Sequence, residues 1–156
     1  MIITFCGHSD YLSKPEDKER LLKLIEKVAF GTQVEFYLGG YGNFDSFALK
    51  CAKKYKEKHK NTKLVFITPY LDKWLNVRED ILKNEYDEII YPEIENVPKR
   101  FAILKRNEWM IDNSDLVVTF VQENSGGAYK AMKYAQSRGV DLVNIGESMP
   151  TIIFKY

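Results

Sequence analysis

Apolar positions along this chain change period several times, and each change marks a predicted element. "MIITFC" at 1–6 is a short apolar, β-branched run, read as a buried strand. "VEFYL" at 34–38, "KLVFI" at 63–67, "DEIIY" at 87–91, "SDLVVTFV" at 114–121 and "VDLVNI" at 140–145 read the same way. "TIIFKY" at 151–156 adds an edge strand. Between these runs the period becomes helical. "SKPE" at 13–16 has the form of a capping box, with Ser13 as N-cap and Glu16 reaching back. Leu21, Ile25 and Val28 follow as one helix face, widened by Leu22 and Ala29, and Gly31 ends it. Over 43–59 the set Phe44, Phe47, Ala48, Cys51, Ala52 and Tyr55 keeps i, i+3, i+4, i+7 spacing. Residues 73–84, 99–112 and 124–139 read as further helices, the last with Ser125 near its start and Gly139 at its stop.

Strands alternating with helices imply βαβ units, a mainly parallel sheet and right-handed crossovers. The expected fold is therefore α/β: a three-layer, Rossmann-like domain. The length of 156 residues fits one such domain, spanning 1–156. A composition of 45% hydrophobic and 29% charged residues argues against disorder. The net charge of +1 carries no signal for nucleic acid or an anionic membrane, so nucleic acid is not expected as a partner. The lysines at 50, 53, 54, 56, 58 and 60 read as a solvated helix end. Cys6 and Cys51 read as small core residues, and His8 and His59 lack zinc spacing, so no metal is expected. The start "MIITFCGHSD" lacks the form of a signal peptide, and no apolar run nears the ~20 residues of a membrane span. The cytoplasm is the expected location.

In a sheet of this kind, ligands bind beyond the carboxyl ends of the strands. The first such loop carries Gly7, His8 and Ser9; the third carries Thr68 and Pro69. The second, "GGYGNFD", carries Gly39, Gly40 and Gly42, then Asn43 and Asp45 at the start of a helix. These glycines suit backbone approach to a phosphate at a helix N-terminus, and equally a tight turn with Asn43 as N-cap and Asp45 complementing the dipole. Ser125, Gly126 and Gly127 form a second glycine-rich helix start, with Lys130 one turn in. Two such starts at strand ends favour a ligand over turn geometry alone. His8 reads either as a phosphate or ribose contact or as an exposed loop residue. In the 99–112 helix, Arg100, Ile103, Asn107 and Met110 share a face, whose polar members need partners in a ligand or a neighbouring loop. The candidate catalytic carboxylates are Asp45 and Glu123; no triad order is present.

Three blocks, "GGYGNFDSFALKCA", "VFITPYLDKW" and "RFAILKRNEWMIDNSDLVVTFVQENSGGAYKAMKYA", together resemble the YpsA-like branch of the SLOG superfamily. That superfamily takes in LOG-type and Smf/DprA proteins. The resemblance runs from residue 1 to about 146. It implies a Rossmann-like fold that binds nucleotides or nucleotide-derived ligands, some of them signals made from NAD. It also implies that the Gly39–Asp45 and Ser125–Gly127 turns line the ligand site, and that the chain self-associates as a homo-oligomer. LOG enzymes, which cleave nucleoside monophosphates, carry PGGxGTxxE. Here "LGGYGNFDS" places Leu38 for Pro, Asn43 for Thr and Ser46 for the catalytic Glu. The second motif also resembles that of nucleoside deoxyribosyltransferases, with Lys130 near the expected Glu. The resulting expectation is a nucleotide-binding domain that senses a ligand without turnover and requires no cofactor. The alternative is a LOG-like N-glycosidase using Asp45 or Glu123.

Overall fold

The computed structural model describes residues 1–71, 73–147 and 152–153, and the side chains of residues 73–78, Trp74 among them, and of Ile152 lie outside that set. Among the described residues, six parallel strands alternate with helices. They are β1 (Ile2–Gly7), β2 (Glu35–Leu38), β3 (Lys63–Ile67), β4 (Glu88–Ile90), β5 (Leu116–Phe120) and β6 (Asp141–Asn144). The helices are α1 (Asp17–Val28), α2 (Asn43–Lys58), α3 (Lys73–Glu85), α4 (Ala102–Asp112) and α5 (Gly126–Arg138). A 3-10 turn over Lys99–Phe101 leads into α4. A short β7 (Ile152–Ile153) pairs antiparallel with β6. Strand order is β4-β3-β2-β1-β5-β6-β7. This is the expected three-layer, Rossmann-like α/β fold.

The pleat sorts each strand between two helix layers. Phe5, Phe36, Phe66 and Val118 point to one face and join Leu21, Ile25, Phe44, Phe47 and Leu82 of α1, α2 and α3. Cys6, Val117 and Leu142 point to the other and meet Ala131 and Ala135 of α5. Tyr37, Val65 and Ile67 pack there against Met110 of α4, with Trp109 stacked on Tyr37. Each fully buried aromatic of this kind stabilises the fold by roughly 1.5–3 kcal/mol. Among the described residues, no helix is long and apolar enough to cross a membrane.

Two helix starts differ from the sequence reading. The expected Ser13 capping box does not form, because α1 begins only at Asp17. Asp17 instead accepts hydrogen bonds from the Tyr11 hydroxyl and the Lys14 N–H, tying the loop to the helix. Asn43 is the first helical residue of α2 rather than its cap, since Gly42 occupies the cap position. The Asn43 N–H donates to the Ser9 carbonyl, so it is already engaged within the protein.

Candidate functional site

The chain runs outward from β1 to β4, then crosses back to place β5 on the other side of β1. That reversal puts a crevice at the carboxyl ends of β1 and β5, where open α/β sheets hold ligands. A cleft of about 470 Å³ lies there. The β1–α1 loop supplies Gly7, His8 and Ser9, and the start of α2 supplies Gly42 and Asp45. Asn107 comes from α4, and Glu123, Ser125, Gly126 and Gly127 come from the β5–α5 junction. A groove of similar size between α1 and α2, about 500 Å³, is bordered by Leu22, Tyr55 and several lysines but by no strand end.

The remaining candidates do not line the cleft. The Thr68 hydroxyl is buried in its own turn, bonded to the Tyr70 carbonyl, and Pro69 follows it there. Arg100 sits in the 3-10 turn with its guanidinium over the Phe101 ring. Of the face expected with it, Ile103 and Asn107 line the cleft and Met110 is buried, while the buried residues of α4 are Ala102, Arg106, Met110 and Ile111. Gly39 and Gly40 also stand outside the lining, and both serve packing. A Cβ on Gly39 would come within 2.8 Å of the Arg106 guanidinium, and one on Gly40 within 2.6 Å of the Phe66 ring. A Cβ on Gly7 would meet the Phe44 ring at 2.2 Å. The first glycine-rich turn is therefore closed by the protein itself.

Arg106 is the residue that the sequence reading missed. It is 1% exposed, the largest fully buried side chain among the described residues, and it borders the cleft. Its Nη1 donates to the Gly39 carbonyl at 2.7 Å and the Ile67 carbonyl at 2.8 Å, across the ends of β2 and β3. Its guanidinium lies 5.4 Å from the Tyr41 ring centroid. Its Nε is buried and has no hydrogen-bond partner among the described residues. A buried donor left in that state costs about 1–3 kcal/mol. The signal was available: one cation within an otherwise apolar i, i+4, i+8 stripe demands a partner.

Asp45 faces this arginine from the first turn of α2, and its Oδ2 accepts the Tyr41 N–H at 2.8 Å. Burial pushes its carboxyl up to about 6, against the opposing pull of Arg106 and of the Tyr41 hydrogen bond. Burial also lowers the Arg106 guanidinium from its ordinary value, with Asp45 opposing. Arginine is too basic to lose its proton, so Arg106 stays cationic. Cys6 at the cleft floor is pushed up to about 12 by burial, then by Asp45, so its thiol is no nucleophile at neutral pH.

The β5–α5 junction is built differently. Ser125 is the N-cap of α5 and its side chain makes no capping hydrogen bond. Nothing lies within 4 Å of a Cβ placed on Gly126 or Gly127. The first-turn amides of a 13-residue helix therefore meet open cleft. His8 stands opposite, its Nε2 accepting the Gln122 N–H at 3.0 Å, which leaves the ring proton on Nδ1. Ile103, expected on the face of Asn107, lines the walls with it, and Asp10 and Tyr41, which were not singled out, join them. The arrangement offers amide donors and a buried cation to an anion, with carboxylates able to accept from hydroxyls.

No family model matches the chain. It is 28% identical over 138 residues to the uncharacterised SPbeta prophage-derived protein YoqJ of Bacillus subtilis (strain 168), covering 76% of this chain and 80% of that one. Among solved structures it is similar to DNA processing protein A from Helicobacter pylori, described for its single-stranded DNA binding mode (TM-score 0.62, 18% identity, 91% of this chain and 63% of that one). It is also similar to DNA processing protein A from Streptococcus pneumoniae, at TM-score 0.59 and 12% identity over 90% of this chain and 48% of that one. A third neighbour, TM1055, gives 0.54 and 13% over 90% of this chain and 71% of that one. The chain thus spans less than two thirds of either DNA processing protein. The likeness shows the Rossmann-like fold. It also corrects the expectation that excluded nucleic acid, because two neighbours are DNA processing proteins and one binds single-stranded DNA. The net charge of +1 averages the whole surface, and so cannot report a local site made of backbone amides and one buried arginine.

Proposed function

We propose that this chain binds a phosphate-bearing nucleotide or nucleotide-derived ligand in the β1–β5 cleft, as a binding or sensing domain of YpsA-like type without turnover. The observation that carries the reading is the pairing of an unobstructed α5 N-terminus with Arg106, a buried cation that retains an unpartnered N–H. Helix N-termini bind anions through their free amides and partial positive charge. A buried guanidinium adds charge where water screens little. Glu123 then serves as an acceptor for ribose hydroxyls.

The test is direct. Small molecules released on denaturing the purified protein are identified, and AMP, ADP-ribose and NAD are compared by thermal shift. Ligand at a hundred times Kd stabilises by roughly 2.7 kcal/mol, a rise of several degrees for a chain of this size. Arg106→Met removes that rise. A panel that leaves the melting temperature unmoved contradicts the reading.

Single-stranded nucleic acid is a second reading, favoured by the DNA binding of the Helicobacter pylori neighbour. A terminal phosphate presents the same anion to the same groups, so a 5′-phosphorylated oligonucleotide belongs in the panel beside its unphosphorylated form. An N-glycosidase would use Asp45 to stabilise an oxocarbenium-like ribosyl centre, or Glu123 as base to a water, and free base released from AMP would reveal it. Self-association and a cytoplasmic location are further parts of the proposal. Sedimentation of the purified chain tests the first.

A further inference from the structure

Asp45 and the α5 N-terminus line one cleft from opposite sides, with Arg106 bordering both. Among the described residues, the Asp45 side chain accepts one hydrogen bond, from the Tyr41 N–H. Arg106 directs Nη1 to two main-chain carbonyls rather than to Asp45. The carboxyl therefore faces the cleft without a committed ion-pair partner. An anion arriving at α5 places a second negative charge in the same half-buried space. Two like charges in a poorly hydrated site drive one of them to take up a proton.

We propose that anion binding in this cleft is proton-linked through Asp45: the side chain is protonated as the anion binds, so the site prefers its ligand at lower pH. This rests on the anion-binding reading of the cleft. The other groups facing Asp45 do not supply the same effect. Cys6 on β1 stays a neutral thiol, and Tyr86, after α3, is raised above its ordinary value by burial first and then by nearby Glu85. Arg106 on α4 stays charged, and Tyr41 contributes its main-chain N–H. Asp10 and Glu123 line the mouth and are exposed to water. His8 is the nearest rival, but its Nε2 accepts the Gln122 N–H, and protonating that nitrogen breaks the bond.

Titration calorimetry with ADP-ribose, whose diphosphate keeps its charge between pH 5.5 and 8, tests the proposal. Runs in two buffers of different ionisation heat count the protons. The expected result is net proton uptake by the wild-type protein and binding roughly tenfold weaker at pH 8 than at pH 5.5, the factor for a one-unit difference between free and bound carboxyl. Asp45→Asn retains the tighter affinity at pH 8 and takes up no proton. Wild-type binding with no proton uptake overturns the proposal and leaves the cleft reading standing. An Asp45→Asn variant that keeps the wild-type pH slope, or a His8→Gln variant that alone abolishes it, overturns it too. Absence of ADP-ribose and inorganic sulfate binding at every pH overturns the cleft reading, and the proposal with it.

Discussion

The turn at Gly39–Gly42 and the turn at Ser125–Gly127 both lead from a parallel strand into a helix, yet they differ in what stands beside them. The first is filled by Arg106, Phe66 and Ser9, each within 3.0 Å of where a Cβ would sit. The second has nothing within 4 Å. Glycine in the first turn makes room for the protein's own groups. Glycine in the second leaves room for something else. The contrast also assigns their roles: the closed turn positions Arg106 and Asp45, and the open turn presents amides to the ligand.

The largest effect should come from filling the closed turn. Gly40 has φ +69°, and a methyl there would strike the Phe66 ring. Gly40→Ala combines left-handed strain with overpacking and should cost about 3 kcal/mol in urea denaturation. A cost below about 1 kcal/mol would erase the distinction between the turns.

Next comes the charge that the closed turn holds. The Asp45 carboxyl is raised from 3.8 to about 6 in the folded protein. It is therefore neutral in both states below pH 4, and the unfolded chain ionises first as pH rises. Stability is lost from about pH 4 to pH 6 and is level above that. Asp45→Asn lacks this loss, so it should match the wild type near pH 4 and exceed it by roughly 2–3 kcal/mol at pH 7. Equal stabilities at both pH values would place the carboxyl in water rather than in the cleft wall.

The open turn should tolerate what the closed one does not. Gly126 has φ +85°, so Gly126→Ala should cost about 1 kcal/mol through backbone strain alone. Gly127 is helical and unobstructed, and Gly127→Ala should stabilise the fold by up to about 1 kcal/mol. Its methyl enters the cleft, so ADP-ribose affinity should nonetheless fall by about tenfold. This split between stability and binding distinguishes a ligand site from a loose turn. The smallest effect belongs to Ser125, whose side chain makes no capping bond. Ser125→Ala should cost a few tenths of a kcal/mol in thermal unfolding, less than the roughly 1 kcal/mol of a working cap.

Element order was legible because strands buried on both faces and amphipathic helices carry different periods, as β5 and α2 show clearly. The position of the cleft followed from topology, since ligands of open parallel sheets gather at strand ends. What surrounds each glycine was not legible. Gly39 and Gly127 look alike in sequence, and their difference arises from Arg106, a residue 67 positions from Gly39 that folds against it. The arginine itself was passed over: Arg100 and Asn107 drew attention as the polar residues of one face, while Arg106 lay beside them among the buried residues of α4. The Ser13 cap failed for a related reason, because Asp17 found a longer-range partner in Tyr11.

The central claim is that an anion sits on the α5 N-terminus and not on the first glycine turn. Amide-resolved NMR during titration with ADP-ribose measures this most directly. The account predicts the largest shifts at the Gly126 and Gly127 amides, with small changes at Gly39 and Gly40. Shifts centred on Gly39 and Gly40, with Gly126 and Gly127 unmoved, would contradict it.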